Sequence, residues 1–141
     1  MSYFRNLTLT EAFAKYGAIL RNPINEYSAI AKDNSVVIGC WANLIKITGV
    51  GMWRYDVPDL STWATHGLNL LKQHLEYAFS EDRPVRLVLV IPRDSEKPEF
   101  AETFNETSGR DIAKTYEAKE AFVGKVVSLD DNQFIIDFKR S

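Results

Sequence analysis

Val85-Arg86-Leu87-Val88-Leu89-Val90-Ile91 is a run of strand length in which every residue but Arg86 is apolar. Such a run is what a strand covered on both faces requires, and it predicts the central strand of a sheet. Ser80-Glu81-Asp82-Arg83-Pro84 immediately before it stops a helix predicted over 61–80. In that helix Ala64, Leu68, Leu71, Leu75, Ala78 and Phe79 form one apolar stripe to lie on the sheet. Gly67 lies inside the stripe and costs about 1 kcal/mol relative to alanine, which favours a regular helix from Leu68. Nearer the N-terminus, Thr8-Leu9-Thr10-Glu11 reads as a capping box. It opens a second helix over 8–21, with Leu9, Phe13, Tyr16 and Leu20 on one face and Asn22-Pro23 as its end.

Elsewhere the apolar period is that of strands. Residues 27–31 and 35–47 read as two strands joined at Asp33-Asn34, and Met52-Trp53-Arg54-Tyr55 as a third beyond a Gly49–Gly51 turn. Residues 122–129 and 133–139 flank Asp130-Asp131-Asn132 as a C-terminal β-hairpin, with Gly124 marking a bend or bulge. Residues 94–111 carry a local charge of −4 with little periodicity and read as an acidic, mobile loop. The expected fold is therefore α+β. One domain over 1–141 holds a curved, mainly antiparallel sheet, two helices packed on it and the closing hairpin; the strand order disfavours a doubly wound parallel sheet.

Composition removes many functions. The net charge is −2, divided as +1 over residues 1–70 and −3 over 71–141, so bulk electrostatic attraction to phosphate backbones is absent. No apolar stretch reaches bilayer-spanning length, the N-terminus lacks a secretory profile, and Cys40 has no partner for an internal disulfide. These features predict a cytoplasmic protein with no membrane association. No phosphate loop, nucleophile elbow or metal-ligand cluster is present, and no cofactor is expected. His66 and His74 stand about 12 Å apart along a helix, too far to share one zinc ion. Either could act alone as an acid or base beside a carboxylate that the fold brings near. Cys40, mid-strand among apolar neighbours, reads as a small core residue.

Two constellations remain. Trp41, Trp53 and Trp63 with Tyr55 fall in one short stretch, and no tryptophan follows Trp63. If the strands around Trp41 and Trp53 pair, Trp41, Trp53 and Tyr55 offer stacking surfaces, with Asn43 and Arg54 as polar contacts for a planar ligand. The concavity they line should lie on the sheet face away from the long helix. The second constellation is Asp94 followed by Glu117-Ala118-Lys119, residue types with which a nuclease binds Mg²⁺ and steadies charge on the attacked phosphate. Chance supplies about one acidic-x-Lys match in a chain of this composition, and the sequence holds a second, Asp137-Phe138-Lys139.

The blocks Gly67-Leu68-Asn69-Leu70-Leu71-Lys72-Gln73-His74-Leu75 with Pro84-Val85-Arg86-Leu87-Val88, and Phe122-Val123-Gly124-Lys125-Val126-Val127, resemble small uncharacterised bacterial and prophage-type proteins. The likeness carries no catalytic motif; it implies an accessory protein acting near nucleic acid. The residues themselves lead to a non-enzymatic binding module for nucleic acid or a nucleic-acid-processing protein. The alternatives are a metal-dependent phosphodiesterase or nuclease using Asp94, Glu117 and Lys119, and an oligomeric structural protein; a homo-oligomer stays open under each.

Overall fold

A computed structural model describes residues 7–21, 26–61, 63, 67–92 and 114–140. Its elements in chain order are α1 (Leu9–Ala14), β1 (Ser28–Ile30), β2 (Val36–Trp41), a 3-10 turn (Ala42–Leu44), β3 (Ile45–Gly49), β4 (Met52–Val57), α2 (Leu68–Ser80), β5 (Val85–Pro92), β6 (Lys114–Leu129) and β7 (Phe134–Arg140). The described strands form one seven-stranded sheet in the order β1-β2-β5-β6-β7-β4-β3. Its neighbours are antiparallel except β2 and β5, which run parallel from Val36↔Val85 to Trp41↔Val90. The fold is thus mixed α and β with a mostly antiparallel, open sheet. The expected acidic loop at 94–111, and with it Asp94, lies outside the described residues, as do Ala64 and His66.

Helix α1 starts as its sequence demands. Thr8 N–H donates to Glu11 Oε1 (2.9 Å) and Glu11 N–H to Thr8 Oγ1 (3.1 Å). It ends earlier than the expected 21, because Gly17 adopts φ +75°, the left-handed conformation favoured just past a helix. Gly17 N–H then donates to Ala14 O and Ala18 N–H to Phe13 O, satisfying carbonyls that the helix leaves open. Helix α2 begins at Leu68, after Gly67 at φ +77°. Leu68, Leu71, Leu75 and Ala78 are buried as the stripe requires, whereas Phe79 is exposed.

The expected strand 35–47 is two strands. Alternation continues through Ala42-Asn43-Leu44, but the chain turns there and leaves β5 for the far edge of the sheet. β2 is second in the order and β3 seventh, yet only these three residues separate them. The Trp41 N–H also reaches Tyr55 Oη, at 3.4 Å, from β2 across to β4. Both facts require the sheet to curl until its two sides approach. The main apolar cluster fills the concave side, where Ile38, Tyr55, Leu87, Phe134 and Ile136 meet Leu71 and Leu75 of α2. A smaller cluster on the other face joins Phe13 of α1 to Val37 and Val88.

Strand β6 holds the largest irregularity. Arg86 pairs with Val123 and Val88 with Ala118, so residues 119–122 all stand opposite Leu87. The bulge is tied down from the α1 side: Tyr16 Oη donates to the Leu87 carbonyl (2.7 Å), and Arg86 Nη2 donates to Glu120 O (3.0 Å). The Arg86 guanidinium also lies over the Tyr16 ring, 4.7 Å from its centroid. Burial raises the Tyr16 phenol pKa, which keeps the donating proton in place.

Gly124 does not sit at the bulge. Its register partner is Phe138, and a Cβ at position 124 would lie 2.5 Å from ring carbons of that residue. Gly124→Ala should therefore destabilise the fold by about 1–3 kcal/mol through overpacking. Urea unfolding of the full chain measures this; an unchanged midpoint would show that the Phe138 ring moves aside freely.

Candidate functional site

Trp41 closes β2 opposite Val90, which in turn faces Tyr116 of β6. Lys114 lies two residues before Tyr116 and so on the same side of that strand. This brings its ammonium to 5.7 Å from the Trp41 ring centroid, within range of a cation–π contact. Both side chains are half-buried. One turn further along the chain, Asn43 stands in the 3-10 segment. Its side-chain Oδ1 and Nδ2 are both buried, and neither has a hydrogen-bond partner among the described residues. A buried polar group without a partner costs about 1–3 kcal/mol, and here a donor and an acceptor on one planar amide are both unmatched. The corner where the chain crosses from β2 to β3 thus holds Trp41 and Asn43, with Lys114 beside the Trp41 ring.

The other aromatic candidates are placed differently. Trp53 is half-buried and stacked on Phe122, with ring centroids 4.1 Å apart and planes at 22°. Tyr55 is fully buried, and desolvation raises its phenol pKa well above the ordinary value. Both pack with the main cluster that includes α2. They therefore lie on the helix side of the sheet, where the expectation had them on the face away from it. Arg54, between them in β4, points to the opposite face by strand alternation. There it makes a bidentate pair with Asp137 of β7, Nε–Oδ1 2.7 Å and Nη2–Oδ2 2.9 Å. These bonds hold the Asp137 carboxyl below its ordinary pKa. Trp41 packs against that same cluster from the end of β2, so Trp41, Trp53 and Tyr55 all border the core, and Arg54 is turned away from it.

Glu117 and Lys119 are in β6, where Lys119 Nζ pairs with Glu117 Oε1 at 3.1 Å. Among the described residues, no group of three or more His, Cys, Asp or Glu side chains could hold a metal ion. Asp137, from the other acidic-x-Lys match, is engaged with Arg54. Cys40 is buried and its thiol pKa is pushed well up by desolvation, as for a core residue.

Sequence reasoning missed Lys114 and Ser28. The Nδ1 of His74 in α2 shares a 2.8 Å hydrogen bond with Ser28 Oγ in β1, and Ser28 is buried. Only tertiary register brings these distant residues together. Burial holds the His74 pKa below its ordinary 6.5, with the Glu26 charge opposing and the Arg21 charge assisting.

No protein family, curated protein or solved structure matches this chain. Among the described residues no helix is long and apolar enough to cross a membrane.

Two measurements test the site as described. Asn43→Leu removes an unmatched amide and keeps its branched shape, so stability should stay level or rise by about 1–3 kcal/mol; a loss in urea unfolding would mean the amide has a partner that holds the turn. For His74, the folded pKa lies below the unfolded one. Its contribution is therefore complete above about pH 6.5 and declines as pH falls through the depressed value. Unfolding midpoints from pH 8 to 5 should show this decline, and His74→Gln should flatten it, whereas an equal slope in the variant excludes His74 as the source.

Proposed function

We propose that this chain is a non-enzymatic, cytoplasmic binding module that folds as one domain closed by the β6–β7 hairpin. Its recognition point is the corner of Trp41, Asn43 and Lys114, and its ligand is a base of single-stranded nucleic acid. The observation that carries this reading is the Asn43 amide, buried with donor and acceptor both unmatched among the described residues. A primary amide in that state gains two hydrogen bonds from a planar partner that presents an acceptor beside a donor, as a nucleobase edge does. Trp41 supplies an aromatic surface for stacking, worth about 1–3 kcal/mol per base.

The charge balance shapes the same reading. A chain at −2 does not gather polyanions through its overall field, so affinity rests on stacking and hydrogen bonding at one point. Weak salt dependence follows. Trp53, stacked on Phe122, and the Arg54–Asp137 pair belong to the scaffold that holds the corner, and neither contacts the base.

The test is a titration of the full chain with labelled single-stranded homo-oligonucleotides of each base, read by anisotropy and by tryptophan quenching. One base should bind in preference, with little change between low and moderate salt. Asn43→Leu should weaken that binding about tenfold, or ~1.4 kcal/mol, while leaving the fold at least as stable; Trp41→Ala should weaken it similarly. Absence of binding to every homopolymer, or binding that Asn43→Leu leaves unchanged, would exclude the reading. Mg²⁺-dependent shortening of the oligonucleotide in the same tubes would favour a nuclease instead.

A further inference from the structure

An open hollow of about 170 Å³ lies between β1, α2 and the segment after α1. Arg21, Glu26 and His74 supply its polar lining, and Ile19, Ile30 and Leu70 its apolar lining. Leu70 and His74 stand one turn apart on α2. Ser28 Oγ engages Nδ1 of His74 at 2.8 Å, which fixes the ring and leaves Nε2 as its remaining polar atom. Ile19 is 73% exposed and Ile30 42%, so the apolar side of the hollow is bare.

Two opposite charges share this small space. Each is near enough to bias the His74 ring, Glu26 towards the protonated form and Arg21 against it. The Glu26 carboxylate is held by the backbone, since its Oε1 accepts the Arg21 N–H at 3.1 Å. The Arg21 guanidinium has no hydrogen-bond or ion-pair partner among the described residues. A lone anion in the hollow would meet Glu26, and a lone cation would meet Arg21. A molecule that carries both charges answers both, because each then faces its opposite. Size narrows the choice further. A cavity of about 150 Å³ takes a benzene ring, so the hollow suits a ligand of valine or leucine size and is too small for a length of peptide.

We propose that this hollow binds a free α-amino acid with a branched apolar side chain, at a site separate from the Trp41 corner. Arg21 takes the carboxylate, for which a guanidinium offers two parallel N–H donors. Glu26 takes the ammonium. Ile19, Ile30 and Leu70 cover the side chain, in keeping with the mostly apolar lining and few placed polar groups of small-ligand sites. His74, fixed by Ser28, adds one hydrogen-bonding atom without adding a charge. A free amino acid fits this set because one carbon bears both charged groups and the side chain. Inside a peptide both groups are consumed in amide bonds, and the two charges of the hollow would go unanswered.

The test titrates the isotope-labelled full chain with leucine and three analogues, followed by NMR shifts of backbone amides and the His74 ring. Isocaproate lacks the ammonium, isopentylamine lacks the carboxylate, and glycine lacks the side chain. Leucine should shift Ile30, Leu70 and His74 and leave Trp41 and Asn43 unmoved. Each analogue should bind about tenfold or more weakly than leucine. Glu26→Gln keeps an oxygen for the Arg21 N–H and removes the charge, so it should abolish the preference for leucine over isocaproate. Arg21→Gln should abolish the preference over isopentylamine. Should either variant fail to fold by circular dichroism, the analogue series on the unchanged chain decides alone. No shift with leucine, shifts only outside the hollow, or equal binding of leucine and any analogue would overturn the proposal. A folded Glu26→Gln chain that still prefers leucine to isocaproate would overturn it too.

Discussion

The short link between β2 and β3 constrains everything else in this molecule. In a flat sheet the second and seventh strands would lie about 24 Å apart at the usual strand spacing. The chain from Trp41 to Ile45 can span only about 14 Å when fully stretched, and here it is coiled into a 3-10 turn. The sheet must curl, and the Trp41–Tyr55 hydrogen bond fixes how far. Curling then asks for its own devices. The bulge at 119–122 of β6 bends the longest strand, and Gly124 lets the Phe138 ring press against the backbone. Both are positions where a regular ladder would have kept the sheet too flat to receive α2.

The same curl explains why polar groups are unmatched where they are. Along a regular ladder each backbone group finds its partner in the next strand, and side-chain amides are held in water. At the β2–β3 crossing the chain must turn sharply beside a packed interior, and Asn43 is carried inward with it. At the opposite extreme of the order, β1 ends the sheet after three residues, where the Ser28–His74 bond ties it to α2.

Much of the fold was legible, for physical reasons that apply locally. The apolar run at Val85–Ile91, the Thr8–Glu11 capping box and the stripe from Leu68 to Ala78 are each decided by residues within a few turns of one another. Gly17 was a readable stop for α1 that the longer apolar face concealed. Alternation hid the break at Ala42–Leu44, because a strand and a tight turn between two strands can carry the same pattern. Grouping Arg54 with Trp53 and Tyr55 ignored the pleat, which sends neighbours to opposite faces. Lys114, the Ser28–His74 bond and the exposure of Phe79 depend on register and on how far α2 extends past the core, and no short window of sequence holds that information.

The lone parallel pair has a bearing on how the chain reaches this state. Every antiparallel neighbour joined by a short turn, β1 with β2, β3 with β4 and β6 with β7, forms within a local stretch of chain. β2 with β5, Val36 with Val85, and β4 with β7, Val57 with Phe134, instead pair across long stretches of chain. Closing so long a loop costs entropy before any contact rewards it, and non-local pairings of this kind slow folding. Until that closure, Val36, Val37, Ile38 and Cys40 stand in a β1–β2 ribbon with one apolar margin bare. The slow closure of such distant pairings is therefore what decides how long that margin stays open to other chains.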